Sequence, residues 1–174
     1  NTPANWDVNT VPTINDDVVI ANAGTAPIIG NGDQADCNNL EVNLNAALTV
    51  EDGGSLKTAG SITNNGGTIQ IQKSITDASW HYISSPISDA ESGLFDVDYL
   101  QYWTEDSQTW TDIGATNYSL IPAKGFSLWG VTSKGDYTFT GTPNTGEQSI
   151  QLSYHENLDP EKTADGLNLV GNPY

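Results

Sequence analysis

The sequence predicts an all-β protein: a short β-solenoid or β-helix-like part joined to an antiparallel β-sandwich-like part. Three observations carry this expectation. Short apolar runs recur with a shared period of roughly twenty residues between Val18 and Ile71, the signature of stacked repeats. Gly, Asn and Asp separate these runs; they supply positive φ and side-chain bonds to nearby backbone at turns. No window of about twelve residues holds a convincing helical period.

Taken in order, Trp6 is expected to cap the end of the repeat core, where the first layer would otherwise expose apolar surface. Val18-Val19-Ile20 is followed by Leu40-Glu41-Val42 and then by Ile62, in steps of 22. A second column runs through Ile28-Ile29, Leu48-Thr49-Val50 and Ile69-Gln70-Ile71, read with steps of 20 and 21. Leu56-Lys57-Thr58 is a candidate third side. Asn31-Gly32, Asp52-Gly53-Gly54 and the Asn-Asn-Gly-Gly run at 64–67 mark corners. Val18, Ile20, Leu40, Val42, Leu48, Val50, Ile69 and Ile71 are therefore expected to point inward and stack. Cys37, the single cysteine, excludes an intramolecular disulfide and reads as a small buried residue beside the Leu40 strand.

The texture changes between Gln72 and Ser79, which places a boundary between residues 1–75 and 76–174. Aromatic residues are concentrated beyond it. Tyr99 to Trp103 alternates, Thr104 to Gln108 is turn-like and Thr109 to Ile113 alternates again, a hairpin with a five-residue loop. Further strands are expected at Gly125 to Val131, Asp136 to Gly141, Ser149 to Tyr154 and Leu167 to Val170.

The formal charge of −17, from 5 Lys, no Arg and 22 acidic residues, argues against nucleic acid, whose phosphates are neutralised by Lys and Arg. It argues equally against anionic membrane surfaces. No apolar run approaches ~18 residues, so membrane insertion is not expected. The charge serves solubility, and clustered carboxylates are also hard-cation ligands. Asp16, Asp17, Asp96 and Asp98 are the candidates for a weak structural Ca²⁺, with a solvated loop as the plainer reading; no other cofactor is expected. His81 and His155, the only histidines, sit in no nucleophile motif and read as structural. Paired acids of a glycosidase are possible among 22 carboxylates, but nothing reads as a catalytic site, and no enzyme activity is expected.

Trp103, Trp110 and Trp129, with Tyr102 and Tyr118, form a candidate aromatic platform for sugar rings, Trp103 and Trp110 pairing across the hairpin. The plainer reading puts these rings in a sandwich core. Exposure of Trp103, Trp110 and Trp129 separates the two. Leu167, Leu169 and Val170, in the apolar run near the chain terminus, are candidates for insertion into a neighbour's sheet by strand addition.

Several stretches resemble a recurrent module of large secreted surface proteins of Bacteroidota, exported by the type IX system. They are Ala4-Asn5-Trp6, Val11-Pro12-Thr13, Asp16-Asp17-Val18-Val19-Ile20, Cys37-Asn38-Asn39-Leu40 and Ala47-Leu48-Thr49-Val50. In the second half they are Trp80 to Pro86, Ala123-Lys124-Gly125-Phe126, Phe139 to Gly146 and Leu167 to Tyr174. The resemblance covers nearly the whole chain and implies an extracellular or cell-surface location. It carries no catalytic residues. In those proteins the Gly-Asn-Pro-Tyr run leads on into further sequence, and their C-terminal sorting domain is not seen here, so a processed piece or a separate subunit is expected. The leading expectation is a structural or adhesive surface module, or the repeating subunit of an extracellular filament. Its partners would be copies of itself, neighbouring modules of a longer chain, or surface polysaccharide. A carbohydrate-binding module and a fragment of a secreted hydrolase are the alternatives.

Overall fold

A computed structural model describes residues 2–95, 99–129, 135–156, 159, 161 and 163–174. The described chain is all-β, with several sheets, none closed, and two short 3₁₀ turns at Pro3–Asn5 and Ser92–Phe95. It divides into two compact units, residues 1–73 with 140–146, and residues 74–139 with 147–174. The boundary expected near residue 75 falls at 73, and a later segment joins the first unit.

The first unit is built from three columns of parallel strands. β1 (Val18–Ile20), β4 (Leu40–Val42) and β7 (Ile62–Asn64) form one, with Val18, Leu40 and Ile62 in register. β2 (Ile28–Ile29), β5 (Ala47–Val50) and β8 (Thr68–Ser74) form the second, and β3 (Gln34–Cys37) and β6 (Ser55–Thr58) the third. The second column departs from the expected spacing by one residue. Ile28 lies opposite Thr49, and Ile29 opposite Val50, so both steps are 21. A one-residue slip exchanges the two faces of a strand. Accordingly Ile29 is buried and Ile28 is 60% exposed.

Alternation then makes the core. Val18, Ile20, Ile29, Cys37, Leu40, Val42, Ala46, Leu48, Val50 and Ile69 are buried together. Trp6, Leu56, Ile62 and Ile71 pack against them half-buried. Cys37 belongs to the third column, opposite Thr58. The corners repeat as well: Gly32 and Gly53 have φ of +80° and +81°, and Asn45 and Gly66 +60° and +90°, the left-handed backbone that Gly and Asn tolerate. One corner carries a polar ladder. Asp17 Oδ1 accepts from the Asn38 and Asn39 side-chain amides at 2.9 and 2.8 Å and from the Asn39 backbone N–H at 3.1 Å. Asn39 Oδ1 in turn accepts from the Ser61 backbone N–H at 2.9 Å and from its hydroxyl at 3.2 Å. Asp17, Asn39 and Ser61 are equivalent positions, each one residue before its strand. Gly141, from the segment that joins this unit late, donates its N–H to the Ile69 carbonyl at 3.1 Å.

The second unit holds one four-stranded antiparallel sheet, in the order β11 (Thr109–Asp112), β10 (Tyr99–Thr104), β12 (Phe126–Trp129) and β9 (Trp80–Ile83). The expected hairpin is β10–β11, with a four-residue loop, Glu105 to Gln108, in place of five. The strand expected to reach Val131 is described to Trp129; its remainder lies outside the described residues. β13 (Asp136–Thr140) is also present, and Tyr137 and Phe139 pack on Phe95 with ring centroids 5.0 and 6.1 Å apart.

Two expected strands are absent. Ser149 to Tyr154 is irregular, and Leu167 to Val170 contributes a single bridge, Val170 with Lys124. Their backbone groups bond elsewhere. Ser153 and Asn168 exchange bonds, with Asn168 Nδ2 donating to the Ser153 carbonyl at 2.8 Å. Glu105, in the hairpin loop, is buried, and its carboxylate accepts from the backbone N–H groups of His155 at 2.7 Å and Gly166 at 2.9 Å. Gln108 donates to Asp165 at 2.6 Å and accepts from the Ala164 N–H. The alternation of Ile150, Leu152 and Tyr154 is thus not matched by burial: Leu152 and Tyr154 are 64% and 69% exposed.

Candidate functional site

Residues directly opposite on paired strands share a face of the sheet. The register pairs Trp80 with Trp129, Tyr82 with Ser127, Trp129 with Tyr99, Ser127 with Gln101, Gln101 with Asp112 and Trp103 with Trp110. All of these therefore lie on one face. The alternate residues, His81, Ile83, Phe126, Leu128, Leu100 and Tyr102, lie on the other. That second face is the sealed one: Leu100, Phe126 and Leu128 are buried. Tyr102 stacks there on Tyr118 with centroids 5.5 Å apart, and the Lys124 ammonium sits 4.2 Å from the Tyr102 ring centre.

The first face is open. Trp80, Tyr82, Tyr99, Trp110 and Trp129 are all exposed, Tyr82 by 71%. Six aromatic rings form two groups. Trp80 meets Trp129 edge-on at 5.4 Å and Tyr99 at 5.9 Å. Trp103 meets Trp110 edge-on at 5.4 Å, and Trp110 lies nearly parallel to Tyr82 at 6.3 Å. Tyr99 and Trp103 stand four residues apart on β10, about 13 Å at strand rise. Between the groups lie Gln101, Asp112 and Ser127, and Ser127 is buried among the rings' strands. Asp112 fixes its neighbours: Oδ2 accepts from the Tyr99 hydroxyl and Oδ1 from Gln101 Nε2, both at 2.7 Å. The Gln101 amide first, and then the Tyr99 hydroxyl, hold its carboxyl below the usual range, so it is ionised at neutral pH. Trp103 is anchored through its indole N–H, which donates to the Leu167 carbonyl at 2.7 Å.

The structure thus brings Trp103, Trp110 and Trp129 to one face and leaves Trp110 and Trp129 exposed, outside the core that the plainer reading gave them. It places Tyr102 and Tyr118 elsewhere, on the sealed face with Lys124. Trp80, Tyr82 and Tyr99 complete the platform, and only the strand order brings them there; the alternation of Trp80 and Tyr82 about His81 was the available signal.

The other candidates have different surroundings. Asp16 accepts from the Thr13 N–H at 2.8 Å and the Thr13 hydroxyl at 2.7 Å, a local turn, and Asp17 belongs to the polar ladder. Thr13 and Asn39 respectively lower the two carboxyls. Asp96 and Asp98 lie outside the described residues. Among the described residues no group of three or more His, Cys, Asp or Glu is arranged to hold a metal ion. The backbone of 169–171 pairs internally, Gly125 N–H to the Leu169 carbonyl and Gly171 N–H to the Ala123 carbonyl. It is therefore not a free strand for addition, though Leu167 and Val170 keep exposed side chains.

Ser79, Asp77 and His81 approach one another, but Ser79 Oγ and Asp77 Oδ1 both face the same imidazole nitrogen, Nε2, at 3.1 and 3.0 Å. A relay places hydroxyl and carboxylate on opposite ring nitrogens. His155 Nδ1 lies 2.6 Å from Glu105 Oε2, in the clasp described above. No helix among the described residues is long and apolar enough to cross a membrane.

A family described as a domain of unknown function (DUF8693) matches residues 1–74. No curated protein and no solved structure matches the chain.

Proposed function

We propose that the open aromatic face of the second unit binds polysaccharide, making this chain an adhesive surface module with a carbohydrate-binding sheet. The observation that carries this reading is one exposed face on which six aromatic rings flank a polar centre of Gln101, Asp112 and Ser127. Exposed aromatic patches of this kind mark interaction sites. The polar centre argues for the class of ligand. A flat apolar protein surface laid on this face would strip water from the ionised Asp112 without replacing it, at high cost. A sugar ring offers both what the indoles need, an apolar C–H face, and what Asp112 and Gln101 need, hydroxyl groups. The charge of −17 also opposes self-association through this face. The resemblance to secreted surface modules agrees with such a ligand, which an extracellular protein meets.

The three parallel columns of the first unit are read as the sides of a short β-solenoid, an architecture whose coils gain stability from neighbour-to-neighbour stacking. In this reading they serve as scaffold.

Native gels containing neutral polysaccharides test the binding. The wild-type chain is retarded by at least one of them, and Trp110→Ala and the Trp80→Ala/Trp129→Ala pair lose that retardation, whereas Val19→Ala, exposed in the first unit, keeps it. Equal mobility in every gel, or equal retardation of all variants at unchanged melting temperature, overturns the reading.

A further inference from the structure

The aromatic face has one special end. A cleft of about 180 Å³ opens beside it, lined by Ser92, Phe95, Tyr99, Leu100, Asp112 and Thr116 among others. Tyr99 and Asp112 belong to both cleft and face. Pockets for drug-sized ligands run to about 300–1,000 Å³, so this one admits no more than a single small ring. Its apolar side is Phe95 and Leu100, both buried. Its polar side is the Asp112 carboxylate. Each Asp112 oxygen takes one internal donor, from Tyr99 or Gln101, and a carboxylate has about four lone-pair sites, so each oxygen can still accept from a ligand. Among the described residues of the second unit no positive charge balances it there. Among the described residues of the second unit Lys124 is the one lysine, and its ammonium lies against Tyr102 and Tyr118 on the sealed face. His155 is paired with Glu105, and His81 alternates to the sealed face.

We propose that this end is the specificity end of the site: one uncharged sugar ring of the glycan seats in the cleft, its hydroxyls on Asp112, and acidic glycans are rejected. This rests on the polysaccharide reading above. The chemistry is a matter of sign. Sugar hydroxyls donate to a carboxylate acceptor. A uronate or sulfate at the same place sets a second negative charge beside Asp112, with no counter-ion among the described residues of the second unit, which is repulsion plus desolvation.

The test uses the full chain and matched probes: neutral glucan, mannan and xylan, each beside its carboxymethylated derivative. Measurement at about 0.5 M salt shortens electrostatic screening to a few ångströms and so mutes the global charge while leaving direct contacts. The neutral polymer that binds should lose affinity about tenfold on carboxymethylation, the scale of one like-charge contact. Asp112→Asn keeps an acceptor oxygen and removes the charge, so it should narrow that ratio while the melting temperature holds. Thr116→Trp fills the cleft and should weaken neutral-glycan binding by about tenfold at unchanged melting temperature. Equal binding of the neutral and carboxymethylated polymers overturns the charge selection. Undiminished binding by folded Thr116→Trp overturns the seat in the cleft. Failure of every polymer to bind sinks the polysaccharide reading, and this inference with it.

Discussion

Replacing Leu48 by Ala probes whether the parallel columns hold the first unit together. Leu48 is 3% exposed and lies directly opposite Ile69, itself 1% exposed. Truncation to Ala removes three carbons. At about 0.8 kcal/mol for each buried methylene the transfer term alone is about 2.4 kcal/mol. The unfilled space raises the expected loss into the range of about 2–5 kcal/mol. Ile69→Ala removes three carbons from the adjoining position and should cost a similar amount. Because the two side chains adjoin, the first truncation loosens the packing of the second. The double variant should therefore depart from additivity by about 0.5–3 kcal/mol. Val19→Ala is the control: Val19 is 55% exposed on the outer side of β1, and its truncation should stay within about 0.5 kcal/mol of wild type. Urea unfolding followed by circular dichroism gives all four values from midpoint and slope. Equal losses at positions 19 and 48, or strict additivity of Leu48→Ala and Ile69→Ala, would refute the inward stacking.

Three further outcomes follow from polar contacts. Asn39→Ala removes the middle of the Asp17–Asn39–Ser61 ladder and should cost about 1–2 kcal/mol in the same assay, on the scale of a lost bond and a stranded partner; a neutral result would make the ladder ornamental. Asp17→Asn keeps the accepting oxygen and should melt close to wild type, with Asp17→Ala lower; a calcium-dependent loss in Asp17→Asn would mark a cation ligand instead. The Glu105–His155 clasp sets a pH window. His155 draws the Glu105 carboxyl down from 4.5 to about 2, so its stabilisation is complete above the ordinary value and fades as pH falls toward 2. Glu105 raises His155 above its ordinary 6.5, so that part is complete below 6.5 and fades as pH rises through the raised value. The melting temperature of the second unit should therefore peak between about pH 4.5 and 6.5, and Glu105→Gln should flatten the peak.

Much of the first unit is legible in the sequence because its signal is local. Apolar residues at alternate positions, with Gly or Asn at each corner, give strand and turn without knowledge of partners. The register of the second column is not legible in this way. Ile28 and Ile29 are equally apolar, and only packing decides that Ile29 turns inward. In the second unit the Trp103–Trp110 pair follows from a hairpin, where partners are near in sequence. Trp80 and Tyr82 reach the same face only because β9 lies beside β12, a pairing across more than forty residues that alternation does not encode. The buried role of Glu105 is not legible for the same reason: an acid in a turn reads as solvated, and its partners at His155 and Gly166 lie some fifty and sixty residues away. Ser149 to Tyr154 shows the converse, since alternation without an available ladder yields an irregular segment.

The columns also differ in their step, 22 residues for β1, β4 and β7 and 21 for the other two. That mismatch is absorbed outside the strands. Between aligned residues the link from the first column to the second shortens by one residue per turn: seven residues separate Ile20 from Ile28, six separate Val42 from Thr49 and five separate Asn64 from Gln70. Such a corner is a natural place to graft foreign sequence. Loop length there is nearly free, each doubling costing only about 0.6 kcal/mol in closure entropy. A peptide tag or a second binding loop inserted within residues 21–27 should be displayed on the exterior of an otherwise unaltered scaffold.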